Sequence, residues 1–495
     1  MAIQSQPATQ PPATQPRENI RAFLARHPIA ATLVLLALAF ITLLTINRNQ
    51  LLFPLWSSIA FPILAILPFL ILNLHIPTRF KVLLGLLVVL VMVPYLGLKD
   101  SFYLELGCQI GIFAAMALGL NIVVGFAGLL DLGYIAFFAV GAYLWGVFSS
   151  PQSNNVIVAS NALASPALFW VFLIGGILLA ALAGILLGLP VLRLKGDYLA
   201  IVTLGFGEMV RVLMSNLGNI SSDPNVKLNI TNGAQGLPGI ASPPLPHFVF
   251  DAVGGLANLF GIPITNINSI TYQLFFYVLV LIIGIIIVVI ATGLENSPIG
   301  RAWTAIREDE VAARAMGVPL VKMKLMAFAM GASFAGAMGV VYAAKQTFVS
   351  PESFSFNQSI FILVIVIVGG MGSIRGVILG AVAVTLLNLE ILPNLSILLN
   401  SFKSNSTVPE FIQNIFKAWP NQLEPAQYQR FVFGILLVLM MIFRPAGILP
   451  ERRRKMEIEA QMKGADEPVP HLDSPLTPLE TLAPLDTPGG PSNVA

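Results

Sequence analysis

Charge is what this chain has least of. Lys, Arg, Asp and Glu make up 10% of its 495 residues, where a soluble domain carries about a quarter; with 56% apolar residues, the composition is that of a membrane protein. Cysteine is almost missing. The single Cys108 excludes an intramolecular disulfide, a four-cysteine zinc site and a cysteine-held iron–sulfur cluster, and it reads as core filling. The four histidines, His27, His75, His247 and His471, never fall within four residues of one another, so a helical zinc motif is excluded as well. No Gly precedes a Lys anywhere, which removes the P-loop, and no soluble segment is large enough for a nucleotide-binding domain. A nucleophile elbow is missing too. The chain is expected to be no enzyme and to bind no metal or cofactor itself; if ATP drives it, another chain hydrolyses that ATP with its Mg²⁺.

What is present is long apolar runs. Segments such as 272–294 are unbroken rather than alternating, so the spans are helices and a porin-like barrel is excluded. Requiring about 20 apolar residues per span gives candidates at 29–46, 52–74, 82–98, 103–124, 130–149, 167–189, 197–217, 272–294, 325–344, 357–370, 376–399 and 429–443. The expected fold is therefore an all-α polytopic bundle of about 12 transmembrane helices, in a range of 10–12. With the N-terminus inside, the inner segments hold 19 Lys and Arg against 6 in the outer ones, which places both termini in the cytoplasm.

Charge clusters mark the organisation. Residues 1–28, 295–324 and 444–495 hold 4, 9 and 14 of the charges. Residues 1–28 read as a disordered, basic leader, and 29–99 as N-terminal spans that begin with a retained signal anchor. Residues 100–450 form a core of spans with long outer loops at 218–271 and 400–428 and an inner loop at 295–324. Residues 451–495 are a basic collar and a proline-rich tail; Arg444, Arg452, Arg453, Arg454 and Lys455 suit anionic lipid headgroups rather than nucleic acid. Two glycine-rich regions, 119–146 and 366–384, hint at an old duplication.

Two groups of residues are candidates for function. Gly119, Asn121, Gly125, Gly128, Asp131, Gly133, Tyr134 and Gly141 crowd into one stretch. Either the helix breaks there and offers backbone groups to a solute, or the glycines let helices pack closely. Gly369, Gly370, Gly372, Gly376 and Gly380 pose the same choice. Glu105, Glu208, Arg211 and Glu390 fall inside predicted spans, where an ionisable group is a functional candidate by default; Glu208 and Arg211, three apart, are expected to neutralise each other.

The inner loop is the second group. Its stretch from Gly300 to Pro319 is expected to form a short helix with a Glu310–Arg314 pair, stopped by Gly317 and Pro319. It reads as a helix that inserts into a groove on a soluble partner, as a solvated connector, or as an interfacial helix on the bilayer.

Several longer strings then stand out. Leu118-Gly-Leu-Asn121 through Gly125-Phe-Ala-Gly128 to Asp131-Leu-Gly133-Tyr134, Gly196-Asp197-Tyr198 through Thr203-Leu-Gly205-Phe-Gly207-Glu208, Thr231-Asn-Gly233 through Gly239-Ile240, and Gly369-Gly370-Met-Gly372 together resemble the LivM-type permeases of bacterial branched-chain amino acid ABC importers. Ala312 and Ala313 precede Gly317 with the spacing of the importer coupling signature, Glu-Ala-Ala, three residues, Gly. Val311 stands where that signature has Glu, and the later Ile-x-Leu-Pro element is absent. The resemblance implies coupling to an ATPase through Arg301, Arg307, Glu308, Glu310, Ala312, Ala313, Arg314 and Gly317. It also implies a translocation path drawn from Asn121, Gly125, Gly128, Asp131, Tyr134, Thr203, Gly205, Glu208, Gly369 and Gly370. The partners it implies are a LivH-like second permease, two LivG- and LivF-like ATPase subunits carrying ATP and Mg²⁺, and an extracytoplasmic substrate-binding protein, in the plasma (inner) membrane. Alternatives are the same machine importing urea or short amides, and an ion-coupled secondary transporter.

Overall fold

Apolar content draws helices through the described residues, and side-chain caps at Asp100, Asn266, Ser297, Asp309 and Ser373 mark where five of them begin. The computed structural model describes residues 61–68, 71, 77–151, 165–191, 197–218, 229–259, 266–404, 428–444 and 446–449. The expected span 29–46, most of 52–74, the leader, most of the loop 400–428 and the tail from 451 lie outside them.

Residues 61–68 are helical. Helix α1 runs over Thr78–Leu87 and passes through a π turn, Val88–Met92, into Val93–Lys99. The extended Asp100 ends it and caps α2 (Ser101–Leu120), its carboxylate accepting from the Phe102 amide at 3.1 Å. A second π turn, Asn121–Phe126, closes α2. After a non-helical stretch come α3 (Ile135–Ser149), α4 (Phe169–Val191) and α5 (Asp197–Asn216). Strand β1 (Leu237–Pro238) and α6 (His247–Leu259) precede α7 (Ile267–Glu295), a 29-residue helix capped by Asn266. Short helices α8 (Pro298–Glu308) and α9 (Glu310–Ala315) lead into α10 (Leu320–Gln346). Strand β2 (Phe348–Val349) and a 3₁₀ turn, Pro351–Phe354, come before α11 (Phe356–Gly369). Helix α12 (Ile374–Leu386) continues through a π turn, Leu387–Ile391, into Leu392–Ser404, and α13 is Gln429–Phe443.

Among the described residues, eight helices are long and apolar enough to cross a membrane, and Ile135–Ser149 and Phe431–Phe443 are shorter apolar helices. The protein is a multi-pass helical membrane protein, and the expected span positions from 82 onward each meet a helix. Four expectations change in detail. Span 130–149 begins at Ile135, because the backbone before it is broken. Span 357–370 is longer, since the 3₁₀ turn extends it back to Pro351. The loop 218–271 is not bare: it contains β1, paired antiparallel to β2 through Leu237 with Val349 and Pro238 with Phe348, and it contains α6. The inner loop holds two helices rather than one, because Asp309 ends α8 in an extended conformation and restarts the chain as the cap of α9.

Helix α10 is central. It packs on α2, α3 and α4 through small residues: Gly331 lies so near α2 that an added Cβ would stand 2.8 Å from the Gly119 carbonyl, and Gly336 and Gly339 leave no room against Gly176 and Phe138. In lipid, where apolar burial between helices contributes little, such close approach supplies the packing. The outward faces of α4 and α7 are apolar and exposed, as at Leu178, Leu182, Ile285 and Val289, which is what a lipid-facing surface requires. Cys108 is buried in the core.

Candidate functional site

The first glycine-rich stretch contains both a break in the helix and close helix packing, at different residues. The backbone breaks from Ala127 to Tyr134, beyond the α2 π turn. Gly119, Gly133 and Gly141 instead serve close packing, against Tyr134, the Thr203 carbonyl and Gly336. The second stretch breaks as well, with positive φ at Gly370 (116°) and Gly372 (84°) between α11 and α12.

These two breaks meet. Asn121 Oδ1 accepts from the Gly372 amide at 2.8 Å, and its Nδ2 is buried without a hydrogen-bond partner. Gly125 packs on Gly372, with no space for a side chain. The end of the chain's described part closes over the second break, the Ile448 and Leu449 amides donating to the Val368 and Gly369 carbonyls at 2.9 and 3.2 Å. The similarity suspected between regions 119–146 and 366–384 is thus accompanied by a direct contact.

Around the first break, Asp131 is buried; its Oδ1 accepts from the Gly133 amide at 2.9 Å, and its Oδ2 has no hydrogen-bond partner. Thr203 on α5 accepts from the Leu132 amide at 3.0 Å and donates to the Ala200 carbonyl. Tyr134 is buried and donates to the Gly331 carbonyl at 2.8 Å. Asn121, Gly125, Asp131, Tyr134, Thr203, Gly369 and Gly370 therefore belong to one end of the bundle. Gly205 and Glu208 do not join them. Gly205 is exposed, with nothing near its missing Cβ, and Glu208 turns to Arg211 at 2.8 Å. Gly128 is exposed beside the loop, φ 70°, against the stem of Arg307.

Of the charges expected within spans, Glu105, Glu208 and Arg211 are in ion pairs. Arg211 also reaches Glu352, 3.0 Å away and 141 residues on, a partner that spacing along one helix cannot reveal. Glu105 is bound by Lys345 at 2.5 Å. Lys345 lies one residue beyond the expected span 325–344, which is why its role was not visible. Glu390 is buried and accepts from Asn394 at 3.3 Å.

The loop between α7 and α10 is held by its inward residues. Ser297 caps α8, its Oγ accepting from the Ile299 and Gly300 amides. Trp303 is buried and donates from its indole to the Met323 carbonyl at 2.7 Å; Ile306, Ala313 and Leu320 form a small core beside it. Arg307 donates to the Gly125 carbonyl in the α2 π turn. Glu310 sits 3.0 Å from the buried Lys324 and 3.9 Å from Arg314, so the expected i,i+4 pair is secondary to an anchor on α10. Asp309 accepts from the Ala312 and Val311 amides, which holds its carboxyl below the usual range. The cap is therefore fully in place above the ordinary carboxylate range and is lost only as pH falls through the lowered value.

The expected coupling residues divide accordingly. Arg307, Glu310 and Ala313 face the protein, whereas Arg301, Glu308, Ala312, Arg314 and Gly317 are exposed. Residues outside that expectation matter as much: Trp303 and Lys324 anchor the loop, and Val311 and Met316 project from it with 71% and 84% of their surface exposed. An unbroken apolar periodicity would have revealed Trp303, but the charged run 307–310 interrupts it; Lys324 acts through its ion pair with Glu310, which no apolar pattern marks.

Comparison with known proteins bears on the family of the chain. The profile of the family described as branched-chain amino acid transport system / permease component matches residues 102–441. The high-affinity branched-chain amino acid transport system permease protein LivM of Salmonella typhimurium is 36% identical over 389 residues, 77% of this chain and 78% of that protein. LivM of Escherichia coli is 36% identical over 383 residues, 76% of each chain. A probable LivM of Methanocaldococcus jannaschii is 26% identical over 369 residues, 72% of this chain and 92% of that one. No solved structure matches. With the family profile covering most of the chain and a bundle of apolar helices beneath it, the chain belongs to the permease family of branched-chain amino acid transport systems.

Proposed function

We propose that this permease is one subunit of an ABC importer for branched-chain and other neutral amino acids in a bacterial inner membrane. ATP is hydrolysed on separate subunits, which seat on the loop between α7 and α10. The observation that carries this reading is the form of that loop. It is rigidly tied to α10 by Trp303 and Glu310, yet it presents Val311 and Met316 to the outside. Apolar side chains on a well-anchored polar loop fit a groove on a soluble partner. A plain connector needs neither anchor nor knobs.

Under this reading the loop and both termini are cytoplasmic, a LivH-like permease completes the membrane unit, and an extracytoplasmic binding protein docks at the opposite end. There Trp145 and Ser242 tie residues 241–242 to α3 and α10. The chain itself carries no catalytic group or cofactor; its residues transmit ATPase closure to the two breaks. The exposed charges Arg301, Glu308 and Arg314 frame the docking surface, and Asn121, Asp131 and Thr203 line the inner end of the path.

Changing Val311 and Met316 together to Asp is expected to abolish co-purification of P-loop ATPases while leaving membrane insertion intact. ATPase recovery equal to wild type would overturn the docking role. Gly317, with φ 82° and open space around its missing Cβ, tests the same element without steric clash. Gly317→Ala is expected to cost about 1 kcal/mol of local backbone strain and to slow leucine uptake several-fold, whereas Gly317→Asn, which tolerates the left-handed region, retains most of it. Labelled urea that competes for uptake would favour the amide-importing alternative. Solute accumulation by the reconstituted chain alone along a sodium or proton gradient would favour a secondary transporter.

A further inference from the structure

At the end of the bundle where Arg211 meets Glu352, a cavity of about 480 Å³ opens between α11, the π turn that follows α12, and α13. This is within the range of small-molecule sites. Its wall is of two kinds. Glu352, Asn357, Gln358, Asn388 and Gln429 supply polar groups. Phe361, Val364, Phe433, Gly434 and Leu437 supply an apolar surface.

The two kinds are separated along the helices. Asn357 and Gln429 stand at the first turns of α11 and α13, and Val364 and Leu437 lie about two turns further on, roughly 10 Å at 1.5 Å per residue. A polar mouth thus leads to an apolar floor. A solute matched to both has a charged head and an uncharged tail.

The head can be specified further. Glu352 is the acidic group at the mouth; with one oxygen committed to Arg211, a carboxylate still has acceptor capacity for an ammonium. Asn388 contributes an amide whose carbonyl oxygen is buried without a hydrogen-bond partner, and such a group gains most from a donor. For a carboxylate the site has the side-chain amides of Asn357, Gln358 and Gln429 and the first turn of α11. Its cap residue, Ser355, makes no side-chain cap bond, so the positive end of that helix is left for an anion. Urea would use the mouth and leave the floor empty; a phospholipid also has a polar head and an apolar tail, and the uptake ratios below separate it from an amino acid.

We propose that this cavity is a transit site for an α-amino acid with an aliphatic side chain, its head at Glu352 and Asn388 and its tail among Phe361, Phe433 and Leu437. The inference rests on the transport reading above and adds a place and a chemical class to it.

Gly434 offers a direct test, because it lines the cavity and a side chain built there meets nothing within 4 Å, so a larger residue is accommodated without displacing its neighbours. In cells whose chromosomal copy carries Gly434→Leu, initial uptake of labelled leucine should fall about tenfold, the discrimination typical of a methylene or two in an apolar pocket. Uptake of alanine should stay within about twofold on the same grounds. Leu437→Ala, which enlarges the floor, should shift the ratio of uptake toward phenylalanine. Glu352→Gln should slow leucine and alanine alike. An unchanged leucine-to-alanine ratio in Gly434→Leu, or an unchanged phenylalanine ratio in Leu437→Ala, with wild-type uptake of both amino acids and normal ATPase co-purification, would overturn the site and leave the importer standing; a lipid on the floor gives that result. Wild-type cells that take up neither amino acid through this chain would overturn both.

Discussion

Replacing Glu105 by Ala is expected to destabilise the bundle by about 3 kcal/mol, the low end for breaking a buried ion pair. The reason lies in the partner. Lys345 keeps only 5% of its side chain exposed and contacts both Glu105 oxygens at 2.5 Å, while Glu105, at 36%, is open enough to temper the loss. Removing the carboxylate strands an ammonium between α2 and α10, and Gln109, which now donates to Glu105 at 3.0 Å, has no negative charge to replace it. The double variant Glu105→Ala with Lys345→Met should recover most of the loss, since a paired charge contributes little over an apolar substitute of similar volume. Thermal unfolding of the detergent-extracted protein separates the cases; equal midpoints for the single and double variants would show that the pair is not what holds these helices.

Trp303→Ala is expected to act on function more than on the bundle. A fully buried tryptophan removed to alanine costs roughly 3–5 kcal/mol. Here that cost falls on a loop whose own core is Ile306, Ala313 and Leu320. The loop should detach from α10 while the spans stay folded: hydrogen exchange should accelerate over 298–318, amino acid uptake should drop to background, and the protein should remain in the membrane at its usual level. Trp303→Phe keeps most of the packing and forfeits the bond to Met323, about 1 kcal/mol, so it should retain a substantial part of the uptake. Slow exchange over 298–318 in Trp303→Ala would mean that the loop is held by other contacts.

Much of this fold is legible in the sequence because its grammar is simple. Unbroken apolar runs locate α2, α4, α7 and α10 to within a few residues, since in lipid a helix must satisfy its own backbone. Interruptions are less legible. The glycines of 119–141 carry one residue type but two duties, and only the tertiary neighbours decide which serves which: Gly133 meets a carbonyl of α5, whereas Gly125 meets the other break. Long-range partners are out of reach of local patterns altogether, as Arg211 with Glu352 and Glu105 with Lys345 illustrate. In the loop, helix propensity favours a single segment. Asp309 overrides it because its side chain offers the backbone a competing set of hydrogen bonds. The resemblance to LivM-type permeases pointed to the loop as a unit, but anchors and exposed knobs are distinguished only by burial.

Arg307 gives the loop a mechanical character of its own. Its stem lies on Gly128 and its guanidinium grips the Gly125 carbonyl, so a load on α8 enters the chain at the unwound joint between α2 and α3 rather than along a helical rod. A π turn followed by non-helical backbone interrupts the helical path there. Under the proposed coupling, displacement of the loop would act first on this joint and, through the bond of Asn121 to the Gly372 amide, on the Gly370–Gly372 corner. The bundle behaves as stiff beams around a pair of linked knuckles, with the lever attached at the knuckle.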